Sequence, residues 1–354
     1  MMLGNKPSKK KKVFTPSENL LKYLTKYGRK TQLPIQYEDM LRYMASIPVI
    51  DSRGNDTLWE TVFYEHSELE DINKSLCIIY ALLKTEGDIS IIEHLNVARI
   101  DYCTFGNTKP FRIRIINKLN DNYDHFYIKR IDASRIYGLE LEGILSPDRL
   151  NYLVFDKTLI EEHVAGVPGD DFINQHLAVP KFDQIRIAKE FIKFNERCFI
   201  RLLGDMRAYN YIVDITPDIE GYQYRIRAID FDQQSYEGRK SFYLPQYFKE
   251  NNPIIYLGIE HLKAGAVRQY QLEERALIAR RARNSRAQLN TLLNNMIKDR
   301  ISSNQKVAQL SQELAIHHKN DTFLSCDTMG DIVLTNIKLV LQKEFIQSII
   351  EVKK

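Results

Sequence analysis

The sequence lacks the features that would assign it to a membrane, secreted or zinc-binding class. No apolar run approaches the ~20 residues that a membrane-spanning helix needs. The cysteines Cys77, Cys103, Cys198 and Cys326 are scattered without the close pairs that zinc sites use. Unpaired thiols of this kind favour a reducing compartment, so we expect a cytoplasmic protein. Lys9–Lys12 form a basic run, but no apolar segment follows it, and the pattern is not that of a secretory signal.

The chain also has only a small excess of positive over negative charge. The net charge of +4 over 354 residues is too small to indicate a polyanionic partner by itself. The basic stretch Arg275–Arg286 is a pattern found in nucleic-acid-binding surfaces. Leu289, Leu292, Leu293 and Met296 continue an apolar stripe in the same predicted helix. A solvated helix face is therefore favoured, and nucleic acid remains an alternative partner.

Patterning along the chain predicts four regions. Residues 1–15 are polar and lysine-rich, which predicts a disordered basic tail. Residues 16–97 predict a helical N-terminal extension, residues 98–165 a small lobe with an antiparallel sheet and one helix, and residues 166–354 a mainly helical large lobe. Helices are predicted over Ser17–Tyr27, Tyr37–Ser46, Leu69–Lys84, Arg135–Leu145, Asp183–Glu196, Arg268–Asp299 and Asp331–Val352. The strands of the small lobe are predicted over Arg99–Thr104, Phe111–Ile116, His125–Ile131, Asn151–Phe155 and Thr158–His163.

Two short acidic motifs flank a predicted β-hairpin in the large lobe. The first reads Leu-Gly-Asp-Met-Arg-Ala-Tyr-Asn over Leu203–Asn210 and precedes the apolar run Tyr211–Val213. The second reads Ile-Asp-Phe-Asp over Ile229–Asp232. A phosphoryl-transfer site needs one carboxylate that orients the nucleophile, and an amide with a second carboxylate that hold magnesium on the ATP phosphates. The two motifs supply these groups in that order.

With the upstream strand His125–Ile131, which contains Lys129, the motifs resemble the protein-kinase-like superfamily. The similarity is closest to small-molecule kinases of the aminoglycoside phosphotransferase and choline kinase type. Their catalytic loop reads His-Gly-Asp-x-x-x-x-Asn, and their metal motif is often Asp-Phe followed by an acidic residue. The chain has no Ala-Pro-Glu tripeptide, which closes the activation segment of protein kinases. The resemblance implies an α+β, bilobal, protein-kinase-like fold with helical N- and C-terminal extensions.

The resemblance also implies a role for each motif residue, with ATP and Mg²⁺ as cofactors. Lys129 would contact the α- and β-phosphates. Asp205 would be the catalytic aspartate that accepts a proton from the acceptor hydroxyl or orients it. Asn210 and Asp230 would bind magnesium, and Asp232 is a candidate for a further ligand.

Three other roles follow from the same resemblance. Arg207 could offset charge on the transferred phosphate. Glu140 or Glu142 would pair with Lys129, and only one can serve, because residues two apart point to different faces of a helix. The hinge that holds adenine through backbone groups would be Glu161, Glu162 and His163.

Two departures from the family pattern leave alternatives open. The turn Phe105–Pro110 has a single glycine where the family has a glycine-rich phosphate loop, and Leu203 replaces the histidine of the catalytic loop. The leading prediction is a Mg-ATP-dependent phosphotransferase that acts on a hydroxyl of an unidentified small molecule. The alternatives are a nucleotide-binding pseudokinase, an interaction protein with a protein partner, and a protein that binds nucleic acid through its basic helix. No membrane association is predicted.

Overall fold

The structure is a computed structural model that describes residues 11–51, 54–85, 87–179, 182–219 and 221–341. The fold is α+β, with an antiparallel sheet and extensive helical regions. The chain forms two compact units. The first consists of Met1–Ala133 and Leu150–His163, and the second of Ser134–Arg149 and Val164–Lys354.

The first unit contains a seven-stranded sheet in the order β1-β2-β3-β4-β5-β7-β6, and all neighbouring strands are antiparallel. The strands are β1 Ala45–Ile50, β2 Asp56–Phe63, β3 Leu95–Cys103, β4 Phe111–Asn117, β5 Tyr123–Arg130, β6 Tyr152–Phe155 and β7 Thr158–Glu162. The helices are α1 Glu18–Lys26, α2 Tyr37–Met40 and α3 His66–Lys84, and a 3₁₀ turn spans Ile89–His94.

Alternation along the central strands separates two faces of this sheet. Phe111, Ile113 and Ile115 of β4 are buried in the hydrophobic core, whereas the intervening Arg112 and Arg114 are half-buried. Helix α3 packs on the apolar face through the residues that its periodicity predicts, including Ile72, Leu76 and Ile79. The five predicted strands and this helix are present, so the antiparallel sheet is confirmed.

Two further strands lie where helix was predicted. The predicted helix Tyr37–Ser46 is wrong after Met40, and a hairpin of β1 and β2 follows it. The segment Ile47–Ile50 holds three β-branched residues and a proline, which favour an extended strand over a helix. The Asp51 carboxylate accepts a hydrogen bond from the Asn55 N–H at 2.8 Å and so closes the turn. The turn signal at Asp51–Asn55 predicts this hairpin better than the helical spacing does.

The N-terminal segment contacts the rest of the first unit at its first described residue. The Lys11 ammonium is buried and lies 2.6 Å from the Asp132 carboxylate, and the Phe14 N–H donates to the same carboxylate at 3.0 Å. The prediction of a solvated tail therefore does not hold at Lys11, which has a buried carboxylate partner, and the disorder of residues 11–15 stays a prediction. The rest of the predicted tail, residues 1–10, lies outside the described residues.

The second unit is mainly helical and holds a three-stranded sheet in the order β10-β9-β8. Helix α4, Ala133–Leu145, agrees with the prediction in its extent, but from Ser134 onward it belongs to the second unit, whereas it was predicted within the small lobe. The strands are β8 Val167–Pro168, β9 Tyr211–Asp218 and β10 Gly221–Ala228. The other helices are α5 Gly169–Asp171, α6 Gln184–Arg201, α7 Asn252–His261, α8 Ala264–Asn284, α9 Arg286–Lys298, α10 Asn304–His318 and α11 Met329–Leu341. Short 3₁₀ turns cover Ala208–Asn210, Lys240–Tyr243, Pro245–Tyr247, Lys249–Asn251 and Asp321–Ser325, and a π turn covers Phe172–His176.

Helix α6 leads into the predicted catalytic loop. Asp183 caps its first turn by accepting from the Arg186 N–H at 2.9 Å, and Ile187, Phe191 and Phe194 are buried as predicted. The helix ends at Leu202, which adopts the left-handed conformation with φ of 55°. This cap turns the chain sharply, so that the loop begins directly at the buried end of the helix.

The C-terminal helices differ from prediction in several places. The single predicted helix Arg268–Asp299 is broken at Ser285, where φ is −111° and ψ is 27°, and becomes α8 and α9. Asparagine and serine at positions 284 and 285 have low helix propensity, which explains the site of the break. Helix α10 was not predicted. The last predicted helix is present as far as Leu341, and the remainder of Asp331–Val352 lies outside the described residues.

The basic stretch on α8 is partly neutralised by carboxylates of the same unit. Arg275 donates to Glu196 at 2.8 Å, and Arg281 lies 4.0 Å from Glu274.

His318, at the end of α10, stacks between the rings of Phe199 and Phe323.

Among the helices of the described residues, none is both long enough and apolar enough to cross a membrane.

Candidate active site

The loop after α6 is held against the segment that follows the second motif. The Gly204 N–H donates to the Gln233 carbonyl at 3.2 Å, and Leu203 forms a β-bridge with Gln234. A Cβ atom on Gly204 would lie 2.6 Å from the Phe242 ring and 3.1 Å from the Gln233 carbonyl oxygen. The absence of a side chain at Gly204 therefore leaves room for the Phe242 ring and lets the loop lie close to the Gln233 backbone, next to the second acidic motif.

Asp205 is fixed in an uncommon backbone conformation. Its φ is +60°, in the left-handed region that aspartate tolerates better than most residues. Its N–H donates to the Phe242 carbonyl at 3.1 Å, and its own carbonyl accepts from the Arg207 N–H at 2.8 Å. The side chain is almost fully buried, and Oδ1 accepts from Arg207 Nε at 3.0 Å. The carboxylate therefore has a defined orientation.

Asn210 closes the loop and brings the two motifs side by side. Its Nδ2 donates to the Asp205 carbonyl at 2.7 Å, so its amide oxygen is the atom that could coordinate a cation. Strands β9 and β10 pair with Tyr211 opposite Ala228, and the Ile229 N–H then donates to the Asn210 carbonyl at 3.1 Å. The hairpin thus places Asn210 and Asp230 at the same end, although the sequence separates them by a whole hairpin.

The second motif is held by an arginine that the sequence did not single out. Arg135 Nη1 donates to Asp230 Oδ1 at 2.8 Å and to Asp232 Oδ1 at 2.7 Å, and Nη2 donates to the Ile229 carbonyl at 3.3 Å. The Asp232 N–H also donates to Asp230 Oδ1, at 3.0 Å. Asp230 Oδ1 is thus engaged twice, which orients the carboxylate. No short motif identifies Arg135, because its position on α4 becomes informative only in the folded unit.

Arg207 has a second partner from a distant segment. Its Nη1 donates to Glu250 Oε1 at 2.7 Å, and its guanidinium lies 5.0 Å from the centre of the Phe248 ring. Burial alone would lower the pKa of Arg207, but the hydrogen bonds to Asp205 and Glu250 outweigh it and raise the pKa above its usual value. Arg207 therefore stays charged, and that charge is shared by two carboxylates.

Glu250 reaches the site because its segment is tied to the catalytic loop. The buried Asn251 donates through Nδ2 to the Met206 carbonyl at 3.0 Å, and its Oδ1 accepts from the Tyr211 hydroxyl at 2.9 Å. These bonds depend on tertiary structure, so no local sequence pattern indicates Glu250.

Tyr209 lies within the electrostatic influence of both motifs. Burial raises the pKa of its hydroxyl to about 12, and the carboxylates of Asp205, Glu250 and Asp230 add to this effect while Arg207 opposes it. The pKa of this one side chain thus depends on charges of both acidic motifs. The phenol is neutral at physiological pH and could donate a hydrogen bond.

In the first unit, Lys129 pairs with a carboxylate on the neighbouring strand. Its Nζ lies 2.7 Å from Glu161 Oε2, and both side chains are nearly buried. Strands β5 and β7 pair with Lys129 opposite Leu159, so Glu161 is the diagonal neighbour on the same face. Its ammonium also lies 5.2 Å from the centre of the Tyr127 ring. The resemblance predicts Glu161 in the adenine hinge and not as the partner of Lys129, because the register between two strands is not readable from the sequence.

The two glutamates that were predicted as alternatives for Lys129 have partners on other helices. Glu142 forms a buried ion pair with Arg201, and Glu140 accepts a hydrogen bond from Gln288 at 3.1 Å. Pairing of either one with Lys129 stays a prediction.

The predicted hinge is part of the sheet. The Glu162 N–H donates to the Asn151 carbonyl at 3.0 Å, and the His163 N–H donates to the His125 carbonyl at 3.3 Å. Both of these N–H groups are thus already bonded within the first unit. Adenine could be held by Glu161, Glu162 and His163 only through their other backbone atoms. Burial lowers the pKa of the His163 imidazole, and its Nδ1 lies 3.2 Å from the Tyr127 hydroxyl. The adenine role of this segment stays a prediction.

The turn Phe105–Pro110, which stands where a phosphate loop was expected, is held by the N-terminal part of the same unit. The Lys11 N–H donates to Asn107 Oδ1 at 3.1 Å, and the Tyr37 hydroxyl donates to the Lys109 carbonyl at 2.9 Å. Gly106 has a φ of +103°, which suits glycine. These two hydrogen bonds therefore fix the turn to the N-terminal part of the first unit.

The donor set near Asn210 is compatible with magnesium. Within the described ranges, no group of three or more His, Cys, Asp and Glu side chains is arranged to hold a metal ion. Magnesium commonly uses one or two carboxylates and completes its shell with phosphate oxygens and water. The Asp230 carboxylate and the Asn210 amide oxygen supply oxygen ligands of this kind.

No family model and no curated protein matches this chain.

Proposed function

We propose that the chain is a Mg-ATP-dependent phosphotransferase of a bilobal, kinase-like type, which acts on a hydroxyl group of a small-molecule acceptor. The observation that carries this proposal is the junction at the end of the β9–β10 hairpin. There, Asn210 binds the Asp205 carbonyl, and the Ile229 N–H binds the Asn210 carbonyl. Asp205, Asn210 and Asp230 thus lie on adjoining backbone segments, which supports a proposal in which the first accepts the proton and the other two bind the metal.

In this proposal Asp205 acts on the acceptor. The acceptor oxygen forms a bond to the γ-phosphorus, the bond from that phosphorus to the ADP oxygen breaks, and its electron pair leaves with ADP. The hydroxyl proton passes to the Asp205 carboxylate. The hydrogen bond from Arg207 Nε to Oδ1 orients the carboxylate for this transfer. The fixed backbone of Asp205 supports this role, since positioning supplies much of the catalysis in such reactions.

Asn210 and Asp230 would hold magnesium through the amide oxygen and a carboxylate oxygen. Magnesium, when bound, offsets charge on the ATP phosphates. Lys129 would add a further positive charge, and its pairing with Glu161 keeps the ammonium in one place. Arg207 would contribute charge only when one of its two carboxylate contacts loosens.

A pseudokinase that binds nucleotide without transfer is the second candidate. It is favoured by the near-complete burial of the Asp205 carboxylate under Arg207 and by the braced turn at Asn107. Either feature would reduce transfer if it persisted when ATP is bound. ATP binding with no product from any acceptor, water included, would support this candidate.

The metal assignment is tested with Asp230→Ala. Ligand that binds only the folded state raises the melting temperature, by roughly 3–4 °C at 100 times Kd for a chain of 354 residues that unfolds as one unit. We expect Mg-ATP to stabilise the wild type in this way, and the Mg-dependent part of the shift to vanish in Asp230→Ala. Asp171→Ala, at an exposed carboxylate, is the matched control. Equal Mg-ATP shifts in wild type and Asp230→Ala would contradict the assignment.

A further inference from the structure

Arg114 of β4 is a half-buried cation without a counter-ion among the described residues. Its side chain forms no ion pair and no hydrogen bond with any of them, and its Nε is buried. The guanidinium lies 4.0 Å from the centre of the Tyr123 ring, which holds it in place. A charge that is taken out of water without a partner costs free energy, so Arg114 is suited to bind an anion.

Other arginines of the first unit that stack on aromatic rings do have carboxylate partners. Arg112 stacks on a tryptophan and donates to Asp101 at 2.8 Å. Arg130 stacks on a tyrosine and lies 3.6 Å from Glu38. Stacking on a ring therefore does not explain why Arg114 lacks a carboxylate.

Basic side chains flank Arg114 on both neighbouring strands. Arg99 of β3 and His125 of β5 are its directly opposite partners in the two ladders, so all three lie on one face of the sheet. The ring of His163 lies 5.5 Å from that of His125, measured between centroids, and adds a second imidazole. Like charges that face each other across a sheet are destabilising. An anion bound at Arg114 would offset this repulsion.

The charge of this part of the sheet matches a dianion. One carboxylate, Asp101, contacts both Arg99 at 3.0 Å and Arg112 at 2.8 Å. With Arg114, three arginines therefore face a single carboxylate, which leaves an excess of two positive charges. The neighbouring Asp124 carboxylate has a lysine partner of its own at 3.2 Å. A phosphate monoester carries a charge of about −1.5 to −2 at neutral pH, and its oxygens match the planar fork of a guanidinium.

We propose that Arg114, with Arg99 and His125 beside it, binds a phosphate monoester on this face of the sheet. The site is separate from Lys129, which lies four residues beyond His125 in β5. Four residues of a strand span about 13 Å, so one phosphate group cannot contact both positions. The inference therefore does not rest on the phosphotransferase proposal.

The test measures binding of inorganic phosphate to the full chain by equilibrium dialysis with radiolabelled phosphate. Arg114→Gln should weaken binding by roughly 10- to 100-fold, as expected for the loss of a charge-assisted hydrogen bond. Arg114→Lys keeps the charge but not the planar fork, and should lose less. Arg130→Gln is the matched control, because it removes another ring-stacked arginine of the same unit, and it should bind like the wild type. Lys129→Gln should retain this binding, which separates the site from the ATP phosphates.

The position of the bound phosphate is checked by NMR at neutral pH. Inorganic phosphate should shift the imidazole signals of His125 and His163 and leave those of His261, exposed on α7, unchanged. A short oligothymidylate is the second probe, because each of its phosphodiesters carries one charge and not two.

Four results would overturn the inference. They are a folded wild type that binds no phosphate, equal affinity in the wild type and both Arg114 variants, an equal loss in Arg130→Gln, and phosphate binding without a shift at His125. Tighter binding of the oligothymidylate than of inorganic phosphate through Arg114 would show that the ligand is a phosphodiester and would overturn the monoester assignment. None of these results bears on Asp205, Asn210 or Asp230.

Discussion

Two arginines in the second unit each bind two carboxylates, and they do so with opposite patterns of exposure. Arg135 is 2% exposed, and of its partners Asp230 is 33% and Asp232 10% exposed. Arg207 is 31% exposed, whereas its partner Asp205 is 5% exposed and Glu250 27%. In the first cluster the cation is buried and a carboxylate reaches solvent. In the second the cation reaches solvent and the carboxylate is buried.

This difference assigns different tasks to the two clusters. A buried guanidinium with two carboxylates is a fixed support, because breaking it would leave charges without partners inside the protein. A partly exposed guanidinium is screened by water and can change partner at small cost. Under the proposed function, the Asp230 cluster would hold a metal in one place, and the Asp205 cluster would uncover its carboxylate when a ligand binds.

The largest effect is expected from the buried carboxylate of the second cluster. Asp205→Asn keeps the shape of the side chain but cannot accept a proton. Turnover should fall by roughly 10²–10⁴, the contribution of a positioned general base, while the Kd for ATP stays nearly unchanged. The measurement combines ATP titration with single-turnover phosphate transfer, with water as the acceptor if no other is found. Asp321→Asn, at an exposed position, controls for the substitution itself. Unaltered transfer in Asp205→Asn would show that the catalytic loop was misassigned.

The two arginines should differ strongly in their contribution to folding. Removing one partner of a buried ion pair typically costs about 3–5 kcal/mol, so Arg135→Gln should lower the free energy of unfolding by about that amount. Arg207→Gln should lower it by less than Arg135→Gln does, because the Arg207 guanidinium and its partner Glu250 are partly exposed and only Asp205 is buried. Urea denaturation of both variants gives the comparison. Equal losses would mean that exposure does not separate the two clusters.

The fold was predictable where local patterns decide the structure. The alternation in β4 and the helical spacing in α3 and α6 predict elements that the structure contains. The β1–β2 hairpin was missed because two local patterns compete there. The helical spacing over Tyr37–Ser46 predicts a helix, whereas the β-branched run at Ile47–Ile50 predicts the strand that the structure contains. The burial of Lys11 was missed because a lysine-rich run predicts exposure to solvent. Its partner, the buried Asp132 carboxylate, is distant in sequence and is brought close only by the fold.

Within the site, the limit of prediction is the difference between sequence neighbours and neighbours in space. The adjacency of Asn210 and Asp230 follows from a hairpin, which the sequence indicates. Glu161 required the register between β5 and β7, and Arg135 and Glu250 required tertiary contacts of α4 and of the segment that Asn251 anchors. Local patterns carry none of this information.

The smallest effect, and the most specific test of the exposed cluster, is expected from Glu250→Gln. Glu250 now shares the positive charge of Arg207 with Asp205. Its neutralisation leaves Arg207 one carboxylate partner, and more of its charge is then available to the phosphates of ATP. Because an interaction of this exposure is worth about 0.5–1 kcal/mol, we expect the affinity for ATP to rise by roughly two- to five-fold at low salt. The gain should shrink as ionic strength rises, and Glu237→Gln, which removes another ion-paired glutamate of similar exposure, should show none. A lower ATP affinity in Glu250→Gln would mean that Glu250 positions Arg207 for the phosphates and does not restrain it.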